Sequence, residues 1–504
     1  MAVRVAIAML PYSGHATPPR YGDFEAQRHW MEVTVNLPAR DWYRETADNE
    51  LGYWGLDYPP LTAFVSQWFG MLAREVVPDL VALHESRGHE SFSGKLFMRG
   101  SVLLCDLLVY WVSVYHLATT LLHKRLEDPH SLTTATKPAS PSLTVAAFRA
   151  GVILALFAPP LLLIDHGHFQ YNCVCLGLCA LAVSLIERRR PICGSAIFCL
   201  ALNFKHMAAY FAPVFFCHLL RRSWESAYGV VTIRQSQHQQ HQQEHQSNQP
   251  DQPNQINIAR FVLAVFLRIL PLACAVLGTF AMLWWPFDPL ELLGRLVPVA
   301  RGVFEDKVAN FWCTLSVIIK VQHVLSKEAL FLACFAATLL SILPSCANVL
   351  LRPSSPERFL LALGNTAMGF FLFSFQVHEK SVLFPMLPLL LATPLFPSHR
   401  GFVVWMLAVC SFSMYPLLIR DGHGLSYLVL QLLLLRLFFP WRRSDLLHSV
   451  YKLMLLLMAL VNILGLLFSP PPHLPDLLAV AISALSFFQF SVAWVMTHTL
   501  QFSL

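Results

Sequence analysis

The chain has 504 residues, 56 % of them hydrophobic and only 13 % charged, with a formal net charge of +6 and a mean hydropathy of +0.52. Such a composition excludes a water-soluble globular domain and reads as an integral membrane protein. The positive balance sits at the ends of apolar segments, so it implies no nucleic-acid partner.

A spanning helix needs about 20 mostly apolar residues to cross a hydrocarbon core about 30 Å thick. In chain order, windows meeting or approaching that length lie near 98–122, 143–164, 171–187, 191–203, 205–220, 260–285, 327–350, 358–376, 381–397, 401–419, 424–440, 449–468 and 475–498. The apolar runs are continuous rather than alternating, which predicts helices and excludes a barrel. The stretch Met1 to Leu10 is too short to span, and it is expected to be the tail of a helix that begins upstream. Residues 1–504 are therefore expected to form one all-α polytopic membrane domain, with a long polar first loop over 11–97.

Lys and Arg in short loops set the orientation. The loops with Lys124, Arg125 and Lys137, with Arg188 to Arg190, with Arg221 and Arg222, with Arg352 and Arg358, with Arg400, and with Arg442 and Arg443 are assigned to the cytosol. The opposite face then receives the first loop, Asp165 to Gln170, the Asn203 to His206 break, 286–326, His378 to Lys380, the Arg420-Asp421 pair and the 469–476 turn. That register requires Asn310 to His323 to remain a non-spanning outer segment. A Gln/His/Asn-rich tract over Gln235 to Gln255, within a cytosolic insert at 223–259, cannot bury a core and is expected to be disordered. The 12 Cys lie almost entirely in apolar helices and outline neither a disulfide framework nor a zinc site. No tandem repeat supports a transporter built from duplicated halves.

Ionisable residues concentrate on the outer face: Asp23, Glu25, Arg28, His29, Asp57, Asp165, His166, His168, Lys205, His206, Arg301, Glu305, Asp306, Lys307, His378, Glu379 and Lys380. A carboxylate among cations and aromatics can act as general base for a sugar hydroxyl, while Lys, Arg and His can hold a phosphate leaving group. Gly-rich phosphate loops, a Ser nucleophile elbow and a His-Glu-x-x-His helix are missing from the sequence, which removes the chemistries those motifs serve. Each cluster also has a plainer reading. Asp23 and Glu25 suit a solvated helix start, although Trp30, Trp42 and Trp54 beside them favour an interfacial pocket. Tyr58-Pro59-Pro60 is an ordinary helix-start signal. His166 and His168 suit interface histidines satisfied by backbone, and 301–310 suits a plain amphipathic loop. Three adjacent ionisable groups at His378 to Lys380 are costly at a bilayer edge and mark a site.

Five segments carry a family resemblance: Gly22-Asp-Phe-Glu-Ala-Gln-Arg-His-Trp-Met-Glu32, Trp54-Gly-Leu-Asp-Tyr-Pro-Pro-Leu-Thr-Ala63, Ile164-Asp-His-Gly-His-Phe-Gln-Tyr-Asn172, Arg301-Gly-Val-Phe-Glu-Asp-Lys-Val-Ala-Asn310 and Phe373-Ser-Phe-Gln-Val-His-Glu-Lys-Ser381. Together, and in this order from Pro11 to about residue 400, they resemble the endoplasmic-reticulum glucosyltransferases of asparagine-linked glycosylation. The resemblance implies a GT-C glycosyltransferase fold of about fourteen helices in the endoplasmic reticulum membrane, with a luminal active site. It implies transfer of glucose from dolichyl phosphate glucose to a mannose of the dolichyl-pyrophosphate-linked oligosaccharide, in alpha-1,3 linkage, for protein N-glycosylation.

Inversion at the anomeric carbon needs one base and no covalent intermediate. The resemblance assigns that base to Asp23, without a metal cofactor. His378 and Lys380, with Lys205 and Arg301 as further candidates, would stabilise the phosphate; Glu25, Arg28, His29, Asp57, Asp165, His166, His168, Glu305, Asp306 and Glu379 would bind or position substrate. The motif forms at 23–30 and 56–63 are nearer to the sister enzyme that adds the first glucose than to the one that adds the second. A polytopic transporter is the alternative from another class, but it should place its ionisable groups at helix midpoints, where Asp106 and Arg268 are the main examples.

Overall fold

A computed structural model describes residues 1–127, 140–243, 258–296 and 307–504, and among these every regular element is helical. Leaving short turns unnumbered, the helices run α1 Ala2–Ala8, α2 Asp23–Asn36 and α3 Pro60–Val76, then α4 Phe92–Glu127 and α5 Pro141–Phe169. They continue as α6 Asn172–Glu187, α7 Pro191–Phe204, α8 Ala212–Gln243, α9 Ile258–Trp284, α10 Pro289–Leu296, α11 Phe311–Ile318 and α12 Lys327–Leu351. The last six are α13 Pro356–Phe373, α14 Leu383–Ala392, α15 Arg400–Ser413, α16 Gly424–Phe438, α17 Leu446–Leu467 and α18 Leu477–Phe502.

Helix covers every one of the expected windows. Six helices among the described residues, α4, α5, α9, α12, α17 and α18, are long and apolar enough to cross a membrane unaided, while α6, α7 and α16 are shorter apolar helices. Burial separates the two kinds. Leu263, Phe266, Leu267, Leu270 and Leu277 of α9 are exposed, as lipid-facing positions would be. By contrast every residue of α14 and nearly all of α13 and α15 is buried, so these form the core of the bundle.

The first loop is a folded cap. It ends at Ser91 rather than near 97, because the Ser91 hydroxyl accepts from the Gly94 N–H at 3.0 Å and starts α4 at Phe92, an ordinary N-cap. Within the cap, α2 and α3 cross closely at Gly70, where an added Cβ would stand 2.8 Å from the Met31 carbonyl oxygen. Residues 310–323 form α11 and a short turn, too short to span, as the orientation requires. Helix α8 continues to Gln243, so the backbone of 223–243, expected to be disordered, is helical, because it extends the apolar helix before it without a break. Residues 244–257 of that stretch lie outside the described residues.

Two hairpins fix where the ends of the bundle lie. Helix α6 begins beside Asp165 and ends at Glu187, and α7 returns to deliver Lys205. Helix α13 begins at Pro356 and ends at Phe373, and α14 starts back just after Lys380. One end of both hairpins gathers Gln170, Lys205, Ser374 and Lys380. The other gathers Glu187, Arg188, Arg189, Glu357 and Leu395.

Candidate active site

Where the cap meets the first of these ends lies a cavity of about 490 Å³, within the range of small-ligand sites. Asp23 opens α2 and stands on its wall, with Gln170, Lys205, His378 and Lys380 across from it and Asp57 to one side. Trp30, Tyr53, Trp54, Tyr58 and Tyr210 supply aromatic faces, and Arg20 and Arg295 add charge at the wall.

The approach to Asp23 is tightly built. Gly14 has a φ of +73°, and a Cβ there would collide with the Gly22 backbone, so only glycine allows the chain to fold back here. Ser13, next to it, donates its N–H to the His168 carbonyl at 3.0 Å. Its hydroxyl accepts from the Asp23 N–H at 3.2 Å. Four non-glycine residues around the cavity, Tyr21, Trp54, Phe169 and Gln376, hold positive φ values of 59°, 51°, 90° and 50°. Strain of this kind persists only where the surroundings enforce it.

Three donors converge on one carboxylate oxygen. Lys380 Nζ donates to Asp23 Oδ2 at 2.6 Å, the His168 Nε2 lies 3.1 Å from it, and the Gln170 amide also donates to it. Oδ1 is left without a hydrogen bond among the described residues. Burial on its own would raise the Asp23 carboxyl, but the Lys380 ammonium and the His168 ring hold it well below the usual carboxylate range. Burial likewise opposes the Lys380 charge, and the Asp23 carboxylate overcomes it, lifting the ammonium above the usual lysine value. The N-terminus of α2 adds its positive dipole end to the same carboxylate. Asp23 is thus an ionised, oriented acceptor at neutral pH.

The other expected residues divide by position. Lys205 Nζ donates to Asn172 Oδ1 at 2.7 Å and lies over the Tyr58 ring. Asp165 is fully buried and acts on the scaffold: its carboxylate accepts from the Asn172 amide at 2.8 Å and from the Asn172 and Cys173 N–H groups at 3.2 and 2.6 Å. It therefore caps α6 and orients the partner of Lys205. His166 points the other way, 3.4 Å from the Asp106 carboxylate, which also binds Arg4. Both histidines leave the π-helical turn 162–169 two residues apart, a spacing that puts His168 on the cavity side and His166 on the back.

Glu25, Arg28 and His29, expected to contact substrate, lie behind the cavity wall. Arg28 donates to Glu25 at 2.7 and 2.8 Å, to Glu32 at 2.8 Å, to the Leu80 carbonyl at 3.0 Å and to Ser86 at 2.5 Å. His29 Nδ1 lies 3.1 Å from Glu32. These groups clamp α2 to the 80–86 segment; they are a scaffold and not a binding surface. Glu379 opens the turn 379–382 and adds its charge to Lys380 from behind. Lys307 pairs with Asp476, away from the cavity. Arg301, Glu305 and Asp306 lie outside the described residues. Gln170 and Asp421 were not expected at the site. The second accepts from His168 Nδ1, and its place in an outer turn was the available signal. Among the described residues, no three His, Cys, Asp or Glu side chains come together as metal ligands.

A wall with one oriented carboxylate, adjacent cations and aromatic faces suits transfer of a sugar from a phosphate to a hydroxyl. Comparison with known proteins points the same way. Residues 1–496 match the family described as "ALG6, ALG8 glycosyltransferase family". A Gallus gallus protein named "Dolichyl pyrophosphate Man9GlcNAc2 alpha-1,3-glucosyltransferase" is 37 % identical over 524 residues, covering 97 % of this chain and 92 % of the relative. An Arabidopsis thaliana protein, "Probable dolichyl pyrophosphate Man9GlcNAc2 alpha-1,3-glucosyltransferase", is 41 % identical over 444 residues, covering 86 % of this chain and 72 % of the relative. An all-helical membrane bundle matched along nearly its whole length makes this chain a member of the ALG6, ALG8 glycosyltransferase family.

Proposed function

We propose that this protein transfers the first glucose from dolichyl phosphate glucose to a mannose of the dolichyl-pyrophosphate-linked oligosaccharide Man9GlcNAc2, in alpha-1,3 linkage, at the luminal face of the endoplasmic reticulum membrane. The observation that carries the mechanism is the Asp23 carboxylate, held through Oδ2 by Lys380, His168 and Gln170 with Oδ1 left over on a cavity wall. Oδ1 takes the proton of the mannose 3-hydroxyl as its oxygen forms the bond to C1 of glucose. The bond from C1 to the phosphate oxygen breaks on the opposite face, and its electron pair leaves with dolichyl phosphate. One displacement inverts the anomeric centre, so a single carboxylate is enough.

Lys380, Lys205 and His378 face the same space as Asp23. They take the negative charge that develops on the leaving phosphate, the task a divalent cation performs in other transferases, and the reaction proceeds without a metal. Trp30, Trp54 and Tyr58 stack against the apolar faces of the sugars. The names of the relatives support the acceptor, and the motif forms at 23–30 and 56–63 support the first glucose over the second.

Protein reconstituted in lipid with dolichyl phosphate glucose and an acceptor, with or without a first glucose already attached, tests this reading. Extension of the unglucosylated acceptor is expected; extension of the glucosylated one alone would transfer the assignment to the sister activity. Asp23→Asn should fold and lose about 10²–10⁴-fold in rate. Undiminished transfer by that variant removes the mechanism.

A further inference from the structure

Behind Asp23 the hydrogen bonds continue. His168 is 1 % exposed and Asp421 is 7 % exposed, and the ring bridges two carboxylates, Nδ1 to Asp421 and Nε2 to Asp23 Oδ2. An ionised carboxylate only accepts, so a ring set between two of them satisfies both by donating from both nitrogens. Lys380 Nζ stands 3.2 Å from His168 Nε2 and, as a second cation, opposes charge on the ring; the two carboxylates offset it. Two carboxylates, one ammonium and one imidazolium then balance in charge.

We propose that Asp421 is a positioning residue of the transfer reaction: it holds His168 as a two-donor ring, and through that ring fixes the Asp23 carboxylate so that Oδ1 meets the acceptor hydroxyl. The inference rests on Asp23 as the base. Asp421 reaches the site from the turn after the short helix Tyr415–Arg420, far along the chain from both α2 and α5. Its carboxylate neither lines the cavity nor bonds Asp23; it holds the ring directly and adds its charge to the surroundings of Lys380. An acidic residue behind a histidine plays the same part in hydrolytic triads, where the amide replacement disrupts the tautomer and leaves the fold intact. Here the third member is a carboxylate instead of a hydroxyl.

The charged and titratable groups facing His168 are Asp23 from α2, Lys380 from the turn 379–382, and Asp421. Arg99 of α4 donates to the neighbouring Gly167 carbonyl at 2.8 Å, and His423 packs against Gly167. Of these only Asp23 and Asp421 favour a charged ring, and Asp421→Asn removes one of them while keeping its shape. The ring then loses its second donor within the working pH range, and the alkaline limb of the rate profile moves to lower pH.

The test compares Asp421→Asn, Asp421→Glu and His168→Gln with the parent protein and with Asp23→Asn, all reconstituted in lipid with dolichyl phosphate glucose and the unglucosylated acceptor. Asp421→Asn should melt as the parent does, keep its KM, lose about 10²-fold in kcat and show the displaced alkaline limb. Asp421→Glu should recover both readouts in part. His168→Gln should show the same loss in kcat with that limb removed, and it serves as the test if Asp421→Asn does not fold. A parent-like kcat in Asp421→Asn or His168→Gln overturns the proposal, as does a loss with an unmoved pH profile that Asp421→Glu fails to recover. Retained transfer in Asp23→Asn instead overturns the assignment of the base.

Discussion

Lys380 has two partners in turn. At rest its ammonium neutralises Asp23; in the proposed transfer it is also one of the cations that take the charge of the leaving phosphate. The first contact lowers the basicity of Asp23, and the second would lower the barrier, so the proposed mechanism has Lys380 move its interaction from one anion to the other as charge shifts. Lys380→Met separates the effects. Burial alone raises the Asp23 carboxyl, and the Lys380 ammonium is the strongest of the charges that oppose it, so the variant should bring the acid limb of kcat/KM up toward neutral pH. The parent, with its base held far down, keeps its rate well into the acid range. Folding follows the same sign: a carboxyl depressed in the native state contributes stability that is present above its unfolded value and is lost as pH falls through the native one. A pH–rate profile of Lys380→Met with an unmoved acid limb would assign the control of Asp23 to His168 and Gln170 alone.

Helix α2 carries both the proposed base and its anchor, on different faces. Asp23, Gln27 and Trp30 recur at helical spacing and line the cavity, while Glu25, Arg28, His29 and Glu32 turn to the 80–86 segment. Burial of Glu32 is opposed by His29 and Arg28, which together hold its carboxyl at about 2. Arg28→Met would leave two buried carboxylates without their shared partner, a loss of about 3–5 kcal/mol. Thermal unfolding in detergent should show it as a large drop in midpoint, with activity lost through the cap. A variant that melts like the parent would show the clamp to be dispensable.

Much of this element was legible beforehand. Hydropathy located the helices, and the acids and bases of 22–32 marked the site, but charge alone did not say which residues face the cavity. The i, i+4, i+7 spacing of Asp23, Gln27 and Trp30 does, once α2 is known to start at Asp23. Asp165 and His166 misled for a different reason: charge near an outer loop does not tell a cavity-facing group from one that caps α6 or pairs with Asp106 behind it. For Asp421 the outer turn was the one signal; its pairing with His168, 253 residues away, was beyond reach, because only the packed bundle brings them together.

At the scale of the whole molecule, the two hairpins α6–α7 and α13–α14 tie function to orientation. The ends carrying Gln170, Lys205, Ser374 and Lys380 meet the cap, whereas the ends carrying Arg188, Arg189 and Glu357 surround a separate cavity of about 630 Å³ with Lys124, Arg125 and Arg222. Helix α6, at 16 residues and about 1.5 Å per residue, sets these ends about 24 Å apart. Five cations at the second end favour the cytosol by the positive-inside rule, and the proposed orientation then has Asp23 on the luminal side. Position 189 is exposed at one end and position 52 at the other, on the rim of the Asp23 cavity. In sealed microsomes, with the exposed Cys193 and Cys274 replaced by Ser, an impermeant maleimide should label Arg189→Cys at once. Gly52→Cys should resist until the membrane is permeabilised. The reverse pattern would turn the whole bundle over, put the base in the cytosol, and separate it from the luminal acceptor the proposed reaction requires.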